Sequence, residues 1–309
     1  MVSILLAAYN GQTHLSAQLA SLQAQTMADF RVLWQDDGSQ DDTPVLLTTV
    51  SAADSRFRPA AIQGQQLGAI GNFLSLMAQD DAPYTALCDQ DDIWHDDKLA
   101  RCMSAMQEAE TQCGAETPLL VHHDVCVTDA GGALLHPSFF AHQGWDGGAT
   151  ALPPLLVQNN VTGCTCLMNA ALRKLVVSHA QPNQLYMHDW FIALTAAAFG
   201  KIVFLDTQLA DYRQHGTNVM GASRYGLLRR SLSALTAPAR ARERIRLTYR
   251  HTRMFRESYG SLLPGDARRT IDGYLSTEHQ PKLRRISAVQ QLGCTMQSPA
   301  ARIGQIIFG

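Results

Sequence analysis

A chain of 309 residues with 46% hydrophobic and 17% charged side chains can bury one large core and carry an appendage, which excludes a disordered or fibrous protein. The net charge of −2 hides an asymmetry: from Ser223 onward sixteen Lys/Arg face five Asp/Glu, a balance of +11, which leaves −13 before it. Apolar runs such as Val2 to Ala8 and Ile192 to Phe199 fall far short of the roughly 20 residues that a membrane-spanning helix needs.

In chain order, Val2 to Ala8 reads as a buried strand, and Leu15, Leu19 and Leu22 mark a helix over His14 to Gln25. Phe30 to Trp34 is the next strand, and Thr43-Pro44 opens a helix, because proline is tolerated at the first helical position. A strand over Arg56 to Ile62, a helix from Ile70 to Ala78, a strand from Tyr84 to Cys88 and a helix from Asp97 to Glu110 follow. This alternation predicts an α/β fold with a Rossmann-like, mainly parallel sheet flanked by helices. Beyond it come strands over Leu119 to Thr128 and Asn160 to Met168, a helix over Asp189 to Phe199 and a strand over Lys201 to Leu205, with Gly131 to Pro154 read as loops. After about Ser223 strands give way to Arg-rich helical patterns, so the boundary is set near Gly221: residues 1–221 as the catalytic domain and 222–309 as a basic helical C-terminal extension.

Ligands of an open α/β sheet bind beyond the carboxyl ends of its strands. There the chain places Tyr9-Asn10-Gly11, Asp36-Asp37-Gly38-Ser39 and Asp89-Gln90-Asp91-Asp92. Carboxylates meeting at one edge repel one another unless a cation or hydrogen bonds intervene, and oxygen ligands suit Mg²⁺ or Mn²⁺. Taken singly, each motif has a plainer reading: Asp36 to Ser39 as a turn, Asp91-Asp92 as a helix cap, Tyr9 as core packing. Gly64, Gly68 and Gly71 lack the order of a dinucleotide fingerprint. Cys164 and Cys166 read as core thiols, and the adjacent His122 and His123 face opposite sides of a strand, so neither pair forms a metal site. Seven cysteines at irregular spacing suit a reducing compartment better than a disulfide framework.

Together and in order, these motifs resemble the inverting glycosyltransferase family 2, in its bacterial rhamnosyltransferase-like subgroup, over roughly residues 1–220. The resemblance implies a GT-A fold and transfer of a sugar from a dTDP- or UDP-sugar to a saccharide or lipid-linked acceptor in polysaccharide biosynthesis. On the donor side it implies Ala8, Tyr9 and Asn10, with Tyr9 stacked on the base, then Asp37 on the base edge with Gly38 and Ser39. Gly68 and Asn72 would lie near the phosphates, and Asp89, Gln90 and Arg213 complete the donor set. It also implies a divalent metal held by Asp91, Asp89 and His215, an acceptor wall of Trp94, Gly163 and Trp190, and Asp189 as general base. His188, in the His-Asp-Trp variant of the family's acidic motif, has no role assigned. Asp189 also reads as the cap of the helix that Trp190 begins.

The rival classes are a nucleotidyltransferase and a non-catalytic carbohydrate-binding relative. The first lacks its Gly-rich basic loop after strand one, and the second should have lost the carboxylates that this chain retains. The start of the chain does not look like a secretory signal, so a cytoplasmic protein is expected. The basic tail suggests peripheral contact with the inner membrane, and nucleic acid is not expected as a partner.

Overall fold

The computed structural model describes residues 1–215 and 238–308. The expected boundary at Gly221 lies outside them. The first half runs β1 (Val2–Ala8), α1 (Gln12–Gln23), β2 (Phe30–Asp36), α2 (Thr43–Ala53), β3 (Phe57–Pro59), α3 (Gly68–Gln79), β4 (Tyr84–Asp89), β5 (Ile93–Trp94) and α4 (Lys98–Cys113). Next come β6 (Leu119–Asp129), β7 (Leu134–His136), α5 (Phe139–Gln143), α6 (Leu152–Val157), β8 (Leu167–Asn169), α7 (Ala170–His179), α8 (His188–Phe199) and β9 (Lys201–Gln214). Four helices close the chain: α9 (Pro238–Tyr259), α10 (Gly265–Ser276), α11 (Lys282–Gln291) and α12 (Pro299–Phe308).

One sheet runs in the order β3-β2-β1-β4-β8-β6-β9-β5, with β7 beside β6. Its first four strands are parallel, and their register sets the site: Ala8 lies beside Asp36, and Ala7 beside Asp89. Three strands therefore end level, and their following residues emerge side by side. The far half is mixed, since β8 runs antiparallel to both β4 and β6 whereas β9 is parallel to β6. Two irregularities interrupt the β6–β9 ladder: Leu205 pairs with His123 and Gln208 with Asp124, then Asp211 with Cys126. Extra residues on β9 bend that strand across the front of the sheet.

Two expectations fail locally. Asn160 to Met168 is not one strand but a 3-10 turn at Gly163–Thr165 followed by the three-residue β8. The stretch from Gly131 to Pro154 contains β7, α5 and the start of α6 as well as loops. Both segments are too short for periodicity to resolve.

The C-terminal helices do not form a separate core. Tyr249, Phe255, Tyr259, Ile271 and Tyr274 join Leu5, Phe73, Trp190 and Phe191 in one buried cluster. Tyr259 stacks on Phe191 at 5.7 Å and shares a 2.9 Å hydrogen bond with Thr195.

An ion network ties β4 to the elements on either side. Asp80, whose side chain is fully buried, accepts from Arg173 Nη1 at 2.5 Å, Thr85 Oγ1 at 2.6 Å and Arg31 Nη2 at 2.8 Å. Removing one partner of such a pair strands a buried charge. Arg173→Ala is expected to cost roughly 3–5 kcal/mol in urea unfolding, and a loss below about 1 kcal/mol, the level of a surface pair, would show that the network is not structural.

Candidate active site

The turn after β1 is held from two sides. The Gln90 amide accepts from the Tyr9 N–H at 2.8 Å and donates to the Tyr9 carbonyl at 2.9 Å, standing in for a neighbouring strand. On the other side, Asn10 N–H donates to Ser39 Oγ and Gly11 N–H to Thr43 Oγ1, both at 2.8 Å. Asn10 takes a left-handed backbone, φ 48°, which asparagine tolerates better than most residues. A Cβ at Gly11 would lie 2.2 Å from Gln90 Oε1, so a side chain there would displace the Gln90 amide from Tyr9. The outcome is an aromatic ring displayed to solvent, since Tyr9 is 49% exposed while Ala8 beneath it is buried.

The Asp36–Ser39 turn behaves differently from the expectation at one residue. Asp36 builds the turn, accepting from the N–H groups of Gly38 and Ser39 and from Ser39 Oγ, and Gly38 supplies the positive φ of 91°. Asp37 is buried, and its two oxygens accept from the N–H groups of Leu67 and Gly68 at 2.6 and 2.7 Å. Through these bonds it anchors the first turn of α3. Gly68, φ 69°, begins that helix. Asn72 is also corrected: it is buried and donates to the Gln35 carbonyl at 3.3 Å, so it packs α3 on β2 and does not reach phosphates.

The third cluster carries the charge. Asp91 Oδ2 stands 2.8 Å from His215 Nε2, and His215 stacks on His14 at 4.5 Å. Burial, then Asp92, Asp91 and Asp189, push the Asp89 carboxyl well above the usual range. Asp92 is 1% exposed, beside the Cys164 thiol, and burial followed by Asp91 raises its carboxyl to about 7. Ligand atoms of Asp89, Asp92 and Cys164 all lie within 4.8 Å of one another. The excess of carboxylate over counter-charge, with an imidazole beside it, fits Mg²⁺ or Mn²⁺.

Arg213 holds the backbone of the acidic loop. Its Nε donates to the Asp91 carbonyl at 2.5 Å, and Nη2 to those of His14 and Asp92 at 2.9 and 3.3 Å. It clamps the acidic loop to the start of α1, a role that needs the fixed fork of a guanidinium. Trp94 is corrected as well: it is 2% exposed, with Lys98 Nζ 3.5 Å over its ring, and offers no acceptor surface. Lys98 is itself buried and donates to the Cys164 carbonyl at 2.7 Å.

Asp189 opens α8. Its Oδ1 accepts from the Trp190 N–H at 2.6 Å and from Asn159 Nδ2 at 3.2 Å, and burial raises its carboxyl to about 7 against the hydrogen bonds from Trp190 and Gly163. Gly163 packs closely here: a Cβ would come within 3.1 Å of His188 Nε2. His188 stacks on Phe73 at 4.5 Å and is held neutral by burial, its imidazole lowered to about 4. His122 packs against Phe140 and Phe204, whereas His123 bonds the Asp124 carbonyl, so the two do not share a ligand.

Asp189 also lines a cavity of about 520 Å³ whose far wall is the C-terminal extension. Phe139, Trp145, Tyr186 and Trp190 supply aromatic surface, and Arg240 and Arg244 of α9 and Gly304 and Gln305 of α12 close it. Trp190 reaches it while its Nε1 donates to the Leu155 carbonyl at 2.7 Å. Sequence reasoning missed Gly11, Asn159 and this wall. Gly11 follows Tyr9-Asn10 and Asn159 precedes Asn160, so both signals were present; the wall depends on long-range packing.

Residues 3–116 match the sequence profile described as glycosyl transferase family 2. This part of the chain is a glycosyl transferase family 2 domain. An uncharacterized glycosyltransferase of Nostoc sp. is 26% identical over 222 residues, 70% of this chain and 66% of that one, so the chain spans just under two thirds of that relative. The dTDP-rhamnosyl transferase RfbG of Shigella flexneri is 24% identical over 231 residues, covering 71% of this chain and 74% of its own. Among solved structures, S. aureus TarS 1–349 in complex with UDP superposes with a TM-score of 0.55 at 14% identity, over 99% of this chain and 88% of that one. Mannosyltransferase PcManGT from Pyrobaculum calidifontis, in complex with GDP-Man and Mn²⁺, gives 0.54 at 12% identity over 98% and 77%. The GT-A fold expected from the motifs is the fold observed.

Asp92 gives a test of the charge cluster. Its ordinary value of 3.8 rises to about 7 on folding, so the stability tied to its protonated form is complete below the lower value and lost as pH rises through the upper one. In chelator-treated protein, Asp92→Asn is expected to melt higher than wild type above pH 7, with the gap closing near pH 4. A gap that does not change with pH would contradict this, and differential scanning calorimetry across that range decides it.

Proposed function

We propose that the chain transfers a sugar, with inversion, from a nucleoside diphosphate sugar to an acceptor hydroxyl bound in the aromatic cavity, with Asp189 as general base. One observation carries the reading: a buried carboxylate raised to about 7 lines that cavity and lies close enough to Asp89 to raise its carboxyl too.

On the donor side, the exposed Tyr9 ring offers a face for a flat base, and Asn10, Gly38, Ser39, Gly68 and Gln90 shape the rim around it. Asp91, His215 and Asp89 would hold the Mg²⁺ or Mn²⁺, and when bound the cation supplies Lewis-acid stabilisation of the diphosphate. Arg213 contributes by fixing the carbonyls of Asp91 and Asp92, hence the direction of the carboxylates. On the acceptor side, Trp190 and its aromatic neighbours bind the saccharide and exclude water, and Gly163 lets the acceptor loop approach Asp189. The base takes the hydroxyl proton as the oxygen attacks the anomeric carbon from the face opposite the nucleotide. A pKa near working pH is the value at which a base is both ionised and basic enough.

The name of the Shigella relative supports a dTDP-rhamnose donor, and the UDP bound by TarS makes UDP-sugars the alternative to test. The expected setting is bacterial surface polysaccharide synthesis at the cytoplasmic side of the membrane.

Asp189→Asn is expected to lower kcat by about 10²–10⁴-fold while nucleotide binding, followed by calorimetry, stays within about twofold. Because the base must be ionised, kcat/KM of wild type should fall tenfold per pH unit below about 7; a profile flat to pH 5 would sink the assignment. Removing the cation with EDTA should abolish transfer, and Mn²⁺ should restore it and raise the melting point with dTDP or UDP.

A further inference from the structure

The last helix has two working faces. Ala300, Ala301, Gly304 and Gln305 of α12 line the cavity that contains Asp189. Adjoining that face, Ile303 is 53% and Ile307 39% exposed, and a spacing of four residues puts them side by side. The start of α11 adjoins this end of α12, where Lys282 donates through Nζ to the Ile307 carbonyl at 2.6 Å, and the next residue, Leu283, is 83% exposed. Large aliphatic side chains grouped in the open at the end of a soluble fold mark a surface that meets something.

The charge around the patch states what it meets. From Lys282 to Phe308 there are four Lys/Arg and no Asp or Glu. The Arg242 guanidinium of α9 lies 5.9 Å from the Phe308 ring, and Glu243 beside it is paired with Arg250 at 3.0 Å. Aliphatic residues ringed by cations on a helix too short and polar to span a bilayer make an interfacial element. A protein partner would need a matching acidic and apolar surface, whereas anionic headgroups above acyl chains offer both at once.

We infer that α12, with the start of α11, docks on an anionic lipid surface, Ile303, Ile307 and Leu283 entering the headgroup boundary while Lys282, Arg284 and Arg242 face the phosphates. The docked helix then holds the cavity wall against the bilayer. Delivery of a lipid-borne acceptor to Asp189 rests on the transfer reading above; the docking does not.

Flotation of the full chain with vesicles separates the two. Binding is expected to vesicles of equal phosphatidylcholine and phosphatidylglycerol, not to phosphatidylcholine alone, and to be released by salt as the headgroup attraction is screened. Ile303→Ser with Ile307→Ser should lower the bound fraction by about tenfold, and Lys282→Glu with Arg284→Glu at least as much. The aliphatic variant should keep its fold by circular dichroism and its turnover of a soluble acceptor. Equal binding to neutral vesicles, no binding to either, or full binding by both variants would overturn the inference. So would gel filtration showing a dimer that the aliphatic variant dissociates, because the patch would then be covered by a second copy. Loss of turnover in Asp189→Asn with vesicle binding intact would touch only the transfer reading.

Discussion

Like charges at short range are the constraint around which this protein is arranged. Asp89, Asp91 and Asp92 occupy one turn at the end of β4, and burial denies Asp89 and Asp92 the water that would screen them. The surroundings answer with hydrogen bonds to the backbone of the loop and with the His215 imidazole against Asp91. Arg213 grips three carbonyls, Gln90 turns back to hold Tyr9, and Lys98 stays beneath, bonded to Cys164. The loop is rigid while its carboxylates keep an unfilled demand for positive charge. Such an arrangement has the donor chemistry that suits a divalent cation.

Much of this was legible in the chain. Val2 to Ala8 was bounded correctly because an unbroken apolar run between polar turns has only one reading in an α/β protein. The three strand-end motifs came together because parallel strands of similar length must end at one edge. Side-chain direction was less legible. Asp37, Asn72 and Arg213 have the right chemistry for a donor site and lie in its region, yet each is spent on backbone groups. A sequence names the functional groups available but not which of them the backbone will claim, and buried main-chain donors and acceptors claim first. Trp94 failed for a related reason, since an aromatic next to an acidic motif can face a ligand or the core with equal ease.

The C-terminal segment is helical over residues 238–308 of the described chain, but its share in the cavity was not visible. Arg240, Arg244 and Gly304 lie 51 to 115 residues beyond Asp189 in the chain, and no local pattern links them. Their placement follows from Tyr249, Tyr259 and Tyr274, which bury their rings in the core of the catalytic half. Packing of this sort makes the appendage part of the site while leaving its outer surface to differ freely.

The irregular pairing of β6 with β9 has an outcome of its own. β9 gains residues relative to β6 before it reaches Arg213 and His215, and side chains alternate faces along a strand. The number of residues in those bulges therefore fixes the parity of the strand, and with it whether Arg213 points at the acidic loop or away from it. Lengthening or shortening the bulge by one residue would leave the core composition untouched and turn the clamp inside out. Loops elsewhere on this domain can vary in length, but the stretch from Leu205 to Asp211 is held to a count.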